Sequence, residues 1–209
     1  MNRKIFFIIS LLLLYFLSAK AQNQEKTEIS TLPDIDVYDI NGVHISLHQL
    51  AKNKVLVIDC WFIPCGPCYI ALGALHRIHA QYVNNKNVCF ITICMTDSSL
   101  VKKFIRKDTT MSAYVSSYQW LSKETNFNLP IYFMPGCRAT VVLNSNKLHG
   151  TFVDESNCPG AAFGFQAYPT CMVFNKHGAQ VYKETSIDVE DKYTQRLTKA
   201  LTEALADSN

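Results

Sequence analysis

The chain is short of the clustered basic charge of a nucleic-acid binder and of an apolar run as long as a spanning helix normally needs. Its 20 Lys and Arg against 17 Asp and Glu leave a net charge of only +3. The basic residues are scattered rather than gathered into a stripe, so nucleic acid is not indicated as a partner. The apolar run near the start, Ile5 to Leu17, is shorter than the ~20 residues a spanning helix needs. It carries no cysteine at its end, which argues against a lipoprotein. A second Cys-x-x-Cys, the usual companion of the first in a zinc site, is missing as well.

The opening M-N-R-K-I-F-F-I-I-S-L-L-L-L-Y-F-L-S-A-K-A-Q has a basic start, an apolar middle and a small-x-small end at Ala19-Lys20-Ala21. That is the layout of an export signal, and residues 1–21 are expected to be removed as a signal peptide, leaving a domain over 22–209. Retention of the segment would instead anchor the chain to a membrane. Either way the domain is expected outside the cytoplasm, where disulfides persist. At 209 residues with 48% hydrophobic composition it needs no staples to fold. Its eight cysteines therefore have to be assigned pair by pair.

Along the chain, I-D-V-Y-D-I-N-G-V-H-I-S-L, residues 35–47, alternates around Asn41-Gly42 and predicts a hairpin with a two-residue turn, followed by a short amphipathic turn over 47–51. Val55 to Trp61 and Val88 to Cys94 read as strands buried on both faces. A helix is predicted over Cys68 to Tyr82, with Cys68, Leu72, Leu75, His79 and Tyr82 on one stripe. Another spans Ser98 to Arg106, capped by Asp97. Strand, helix, strand, helix in this order describes βαβ units.

The stretch 108–167 is the least legible. Tyr114 to Leu121 suggests a helix, Leu129 to Phe133 and Ala139 to Leu143 suggest strands, and Asn144 to Gly164 carries turn residues throughout. Order returns with strands over Pro169 to Phe174 and Ala179 to Lys183. A final helix follows, capped by Asp188 and striped by Val189, Tyr193, Leu197, Leu201 and Leu205.

The chemistry concentrates in V-I-D-C-W-F-I-P-C-G-P-C, residues 57–68. Cys65 falls at the predicted helix N-terminus, where unpaired N–H groups and the helix dipole favour its thiolate. Cys68 lies one turn further in. That asymmetry suits an exchange in which Cys65 attacks a disulfide and Cys68 resolves the mixed disulfide. Pro67 in the first turn costs the helix little.

A metal site and an inert staple are the competing readings. His44 with His48 and His76 with His79 have helical spacing but suit surface or stripe packing, and no metal is expected. A loop this small constrains the unfolded chain weakly, which makes stability a poor reason for the pair.

The string D-C-W-F-I-P-C-G-P-C resembles the active site of thioredoxins, and Tyr168-Pro169-Thr170 resembles their cis-proline loop. The export signal and the phrasing L-P-D-I-D-V-Y-D-I-N-G-V-H-I-S-L are most similar to exported thioredoxin-like reductases of the TlpA/ResA type, over roughly residues 30–107 and 164–206. The resemblance implies an α/β thioredoxin-like fold: a central mixed β-sheet flanked by helices, with an N-terminal hairpin and an insertion, about 108–163, before the cis-proline strand.

It also implies roles. Cys65 is the attacking thiol, Cys68 the resolving thiol, and Pro169 the cis-proline whose neighbour Tyr168 offers its backbone to a substrate chain. Trp61, Pro64, Gly66 and Pro67 complete the substrate-facing surface. Asp59 matches the buried acid below the resolving cysteine, where it either takes the proton of Cys68 or serves as a hydrogen-bonded strand carboxylate without a catalytic part.

The chain departs from the pattern at Pro64, where a Trp is usual, and at Tyr168, bulkier than the common Thr or Val. The Cys-x-x-x-Cys of copper carriers and the lone loop cysteine of peroxidases are absent. The implied activity is reduction of disulfides in envelope proteins, with an upstream thiol donor and no cofactor beyond the Cys65/Cys68 couple. An oxidase, an isomerase or a non-catalytic partner-binding module are the alternatives.

Cys60, Cys89, Cys94 and Cys171 sit in buried strand patterns and are expected as free thiols, with Cys60 facing away from Asp59. Cys137 and Cys158, both in turn-rich sequence, are expected to form a structural disulfide.

Overall fold

The computed structural model describes residues 30–114, 128–143, 150–155, 157–185 and 190–207. The expected export signal, the cap at Asp188 with its neighbour Val189, and all of the Tyr114–Leu121 helix beyond Tyr114 lie outside the described residues.

The elements are β1 (Asp36–Asp39), β2 (His44–Ser46), α1 (Leu47–Leu50), β3 (Val55–Trp61), α2 (Gly66–Tyr82), β4 (Val88–Cys94), α3 (Ser98–Ile105), a 3-10 turn (Thr109–Tyr114), β5 (Ile131–Phe133), β6 (Arg138–Leu143), β7 (Gly150–Glu155), α4 (Pro159–Phe163), β8 (Thr170–Phe174), β9 (Gln180–Thr185) and α5 (Glu190–Ala206). Seven strands form one sheet in the order β2-β1-β5-β4-β3-β8-β9. β3, β4 and β5 run parallel, and β8 is antiparallel to β3. This is the mixed sheet flanked by helices that the resemblance implies.

Every residue of β3 is buried, because the strand is covered on both faces. Val55, Val57 and Trp61 pack under α2 and α5 with Cys68, Leu72, Leu75, Tyr193, Leu197 and Leu201. Leu56, Ile58 and Cys60 face the opposite core, with Leu47, Met172, Phe174 and Phe163. Side-chain alternation along a strand sets this division. It places Asp59 on the α2 face and Cys60 on the other, as expected.

Three local readings are corrected. The β1–β2 hairpin does not turn on Asn41-Gly42 alone. The Asp39 carboxylate accepts the N–H groups of Asn41 and Val43 at 2.8 Å each, the Asp39 N–H reaches the Val43 carbonyl, and Gly42 takes φ +86°. The side chain of Asp39 thus organises a wider loop than the dipeptide signals.

The span 144–164 is not irregular throughout, since it contains β7 and α4. β7 pairs with β6 in a separate two-stranded sheet. Third, β5, inside the stretch set apart at 108–163, is integral to the large sheet, pairing with β4 on one side and β1 on the other.

Candidate active site

β3 ends at Trp61, and the chain turns sharply before α2. The turn closes with the Cys65 N–H donating to the Phe62 carbonyl at 3.2 Å. Pro64, inside the turn, forfeits no donor that this bond needs. Two contacts fix the loop: the Ile63 N–H donates to Thr96 Oγ1 at 3.0 Å, and the Tyr69 hydroxyl donates to the Ile63 carbonyl. Tyr69 also packs edge-on against Trp61, with ring centroids 6.3 Å apart. Thr96 and Tyr69 carry no motif signature. The part of Thr96 depends on the fold bringing the end of β4 beside the loop, and that of Tyr69 on the first turn of α2 folding back over it.

Cys65 is the N-cap of α2, its sulfur accepting the Cys68 N–H at 3.2 Å. Cys65 and Cys68 are joined by a disulfide with Cα atoms 5.3 Å apart. Cys65 is 5% exposed and Cys68 fully buried, while Gly66 and Pro67 are exposed. The N-cap sulfur therefore lies nearer solvent and receives a helix-end donor, which favours a thiolate there once the bond is reduced.

Asp59 is fully buried, and neither carboxylate oxygen has a hydrogen-bond partner among the described residues. None of the described residues supplies the hydrogen bond that the strand-carboxylate reading of Asp59 calls for. Burial pushes its carboxyl well above the ordinary carboxylate range. Thr92 of β4 and Cys171 of β8 are its register neighbours. Burial and the Asp59 charge also push the Cys171 thiol up, and Tyr193 of α5 is raised by burial, with Cys171 and Asp59 adding to it.

The grouping of Asp59 with Cys171 and Tyr193 escapes sequence reasoning because it depends on the pairing of distant strands and the docking of α5. Cys60, Cys89, Cys94 and Cys171 are free. Burial raises Cys60 strongly and pushes Cys94 up to about 12, so both are poor nucleophiles at neutral pH.

The Tyr168–Pro169 peptide is cis. Tyr168 meets Phe62 edge-on at 5.6 Å and Phe165 at 5.1 Å, which ties the cis-proline loop to the loop carrying Cys65. Cys137 and Cys158 form a second disulfide with Cα atoms 4.6 Å apart. His79 is engaged with the ring of Phe90 at 5.2 Å, a packing role on the stripe.

No protein-family model matches the sequence, and no curated protein matches it. Solved structures do resemble it. A thiol:disulfide interchange protein of the DsbE type from Chlorobium tepidum superposes with a TM-score of 0.55 at 15% identity, over 85% of this chain and 96% of that one. A thiol-disulfide oxidoreductase from Bacteroides fragilis gives 0.51 at 16% identity, over 85% and 98%. A DsbF homologue from Corynebacterium diphtheriae gives 0.54 at 15%, over 86% and 89%. At such identities the likeness establishes the fold, which is thioredoxin-like.

Proposed function

We propose that the protein is a thiol-disulfide oxidoreductase that works outside the cytoplasm and reduces disulfides of envelope proteins. The observation that carries this reading is the Cys65–Cys68 disulfide at the N-terminus of α2, with the sulfur of Cys65 receiving the Cys68 N–H. In the reduced protein the Cys65 thiolate attacks one sulfur of a substrate disulfide. A mixed disulfide forms and the other substrate sulfur leaves as a thiolate. Cys68 then attacks the Cys65 sulfur, expels the second substrate thiolate and regenerates the intramolecular disulfide.

Asp59, on the sheet face covered by α2, takes the Cys68 proton during the second step, a transfer suited to a carboxyl whose pKa burial has raised. An upstream thiol donor returns two electrons per cycle, and no cofactor enters. The backbone at Tyr168, preceding the cis bond, receives the substrate chain, and Pro64, Gly66 and Pro67 shape the surface around the attacking sulfur, whereas Trp61, expected on that surface, is fully buried and packs beneath it.

Export rests on the N-terminal pattern of residues 1–21. Among the described residues no helix is long and apolar enough to cross a membrane. Retention of residues 1–21 would anchor the chain to one.

Insulin reduction by a small dithiol provides the test. The protein is expected to accelerate it, and Cys65→Ser to abolish the acceleration. Cys68→Ser is expected to accumulate a covalent adduct with insulin, visible on a non-reducing gel. Capture without turnover by the unaltered protein would favour a binding module instead.

A further inference from the structure

The second disulfide stands where it can act on substrate binding. Cys137 follows β5 through a turn in which its N–H donates to the Met134 carbonyl at 3.2 Å. Because β5 is parallel to β4, and β4 to β3, this turn leaves the same end of the sheet as the loop bearing Cys65. Cys158 is fully buried and stands at the N-cap position of α4 without a side-chain capping bond.

From Cys158 the chain runs through the single turn of α4, reverses at Gly164 with φ +65°, and passes Phe165 and Tyr168 to the cis-proline. This segment forms one wall of a cavity of about 850 Å³, with Gly160, Gly164, Phe165 and Tyr168 on one side and Lys183 and Thr185 of β9 on the other. Tyr168, which lines this cavity, also meets Phe62 of the active-site loop edge-on.

A five-residue helix does not hold itself. Among the described residues, α4 and the loop after it add no strand to the large sheet. Lys183 Nζ donates to the carbonyls of Phe163 and Gly164 at 3.3 and 2.9 Å, and Phe163 packs on Phe174 at 6.2 Å. These ties act at the C-terminal end of α4. At its N-terminal end the tie is covalent, through Cys158 to Cys137.

We propose that the Cys137–Cys158 disulfide is a positioning device for the substrate. It fixes the wall from Cys158 to Pro169 so that the groove accepts the extended polypeptide flanking a substrate disulfide. The occupant follows from the groove's place, since Tyr168, one of its lining residues, touches Phe62 of the loop that carries the attacking cysteine. The proposal rests on the exchange reading above. The two disulfides then differ in role, with Cys65–Cys68 exchanging and Cys137–Cys158 holding the surface that recognises a chain.

The test compares a polypeptide with a small disulfide. In the full chain carrying Cys137→Ala and Cys158→Ala, KM for insulin is expected to rise about tenfold with kcat held within about twofold, the signature of lost binding shared by ground and transition states. The rate with oxidised glutathione, too small to fill the groove, should stay within about twofold. Unchanged insulin kinetics, or a fall in kcat at constant KM, would overturn the proposal. Failure of the unaltered protein on both substrates would instead remove the exchange reading.

If the double variant does not fold, a Cys65→Ser, Cys68→Ser background leaves Cys137–Cys158 as the only disulfide among the described residues. Hydrogen exchange of the 159–168 amides is then followed before and after reduction by a phosphine. Faster exchange there than in β3 and β4 supports the role, and equal exchange in both states refutes it.

Discussion

The residue with most at stake is Asp59. A carboxyl buried without a hydrogen-bond partner among the described residues destabilises the fold when charged, and its raised pKa fixes the pH at which that cost is felt. The unfolded chain releases this proton near pH 4, whereas the folded chain holds it to a higher pH. Between the two values the unfolded state binds fewer protons, so stability falls as pH rises from about 4 through the folded pKa, and levels off above it.

Asp59→Asn should therefore melt above the unaltered protein at pH 8, by about 3 °C or more, with the difference vanishing below pH 4. Thermal melts across that range check the sign. The same variant should slow resolution of a mixed disulfide at neutral pH, on the order of 100-fold if Asp59 is the base. Equal single-turnover rates would remove the proton-transfer role while leaving the stability prediction intact.

Among the elements, α5 shows which forces hold the site in place. It closes the face of the sheet that carries Asp59 through Tyr193, Leu197 and Leu201, all buried. It also forms ion pairs at its surface, Arg77 of α2 with Glu190 and Arg196 with Glu184 of β9. The exposed pair Arg77–Glu190, with side chains 55% and 43% exposed, contributes at most about 1 kcal/mol. Leu197→Ala leaves a cavity in the core and should cost about 2–5 kcal/mol. Urea unfolding should show that loss for Leu197→Ala and a midpoint nearly unmoved for Arg77→Ala.

The same scale shows what was legible in the sequence. β3, β4 and α2 could be read because burial on two faces writes an unbroken apolar run, and burial on one side writes a stripe. β7 and α4 could not, because a six-residue strand and a single helical turn among Gly, Asn and Pro leave no period long enough to see. The β1–β2 loop misled because a side chain, Asp39, supplies the acceptors that set its width.

For the molecule as a whole, the topology explains why a site can be read in part from one line of sequence. Cys65 and Cys68 are local to one strand-helix junction, so their placement follows from twelve consecutive residues. Pro169 is a hundred residues away yet lies beside that junction, because β8 pairs directly with β3. The resemblance pointed to it where periodicity would not. The cluster of Asp59, Cys171 and Tyr193 joins three distant segments through strand register and helix docking, and neither route revealed it. The turn-rich stretches holding Cys137 and Cys158 offered no geometry from which to place the wall that follows them. The Cys65–Cys68 pair, Asp59 and the cis-proline loop come from separate segments that the sheet brings together.

The direction of electron flow is the central claim, and the reduction potential of the Cys65/Cys68 couple tests it most directly. Equilibrating the protein with defined ratios of reduced and oxidised dithiothreitol, then counting free thiols by mass, gives that potential. A reductase should lie below about −200 mV, toward the roughly −270 mV of thioredoxin. A value near −120 mV, where a strong disulfide oxidant sits, would contradict the account.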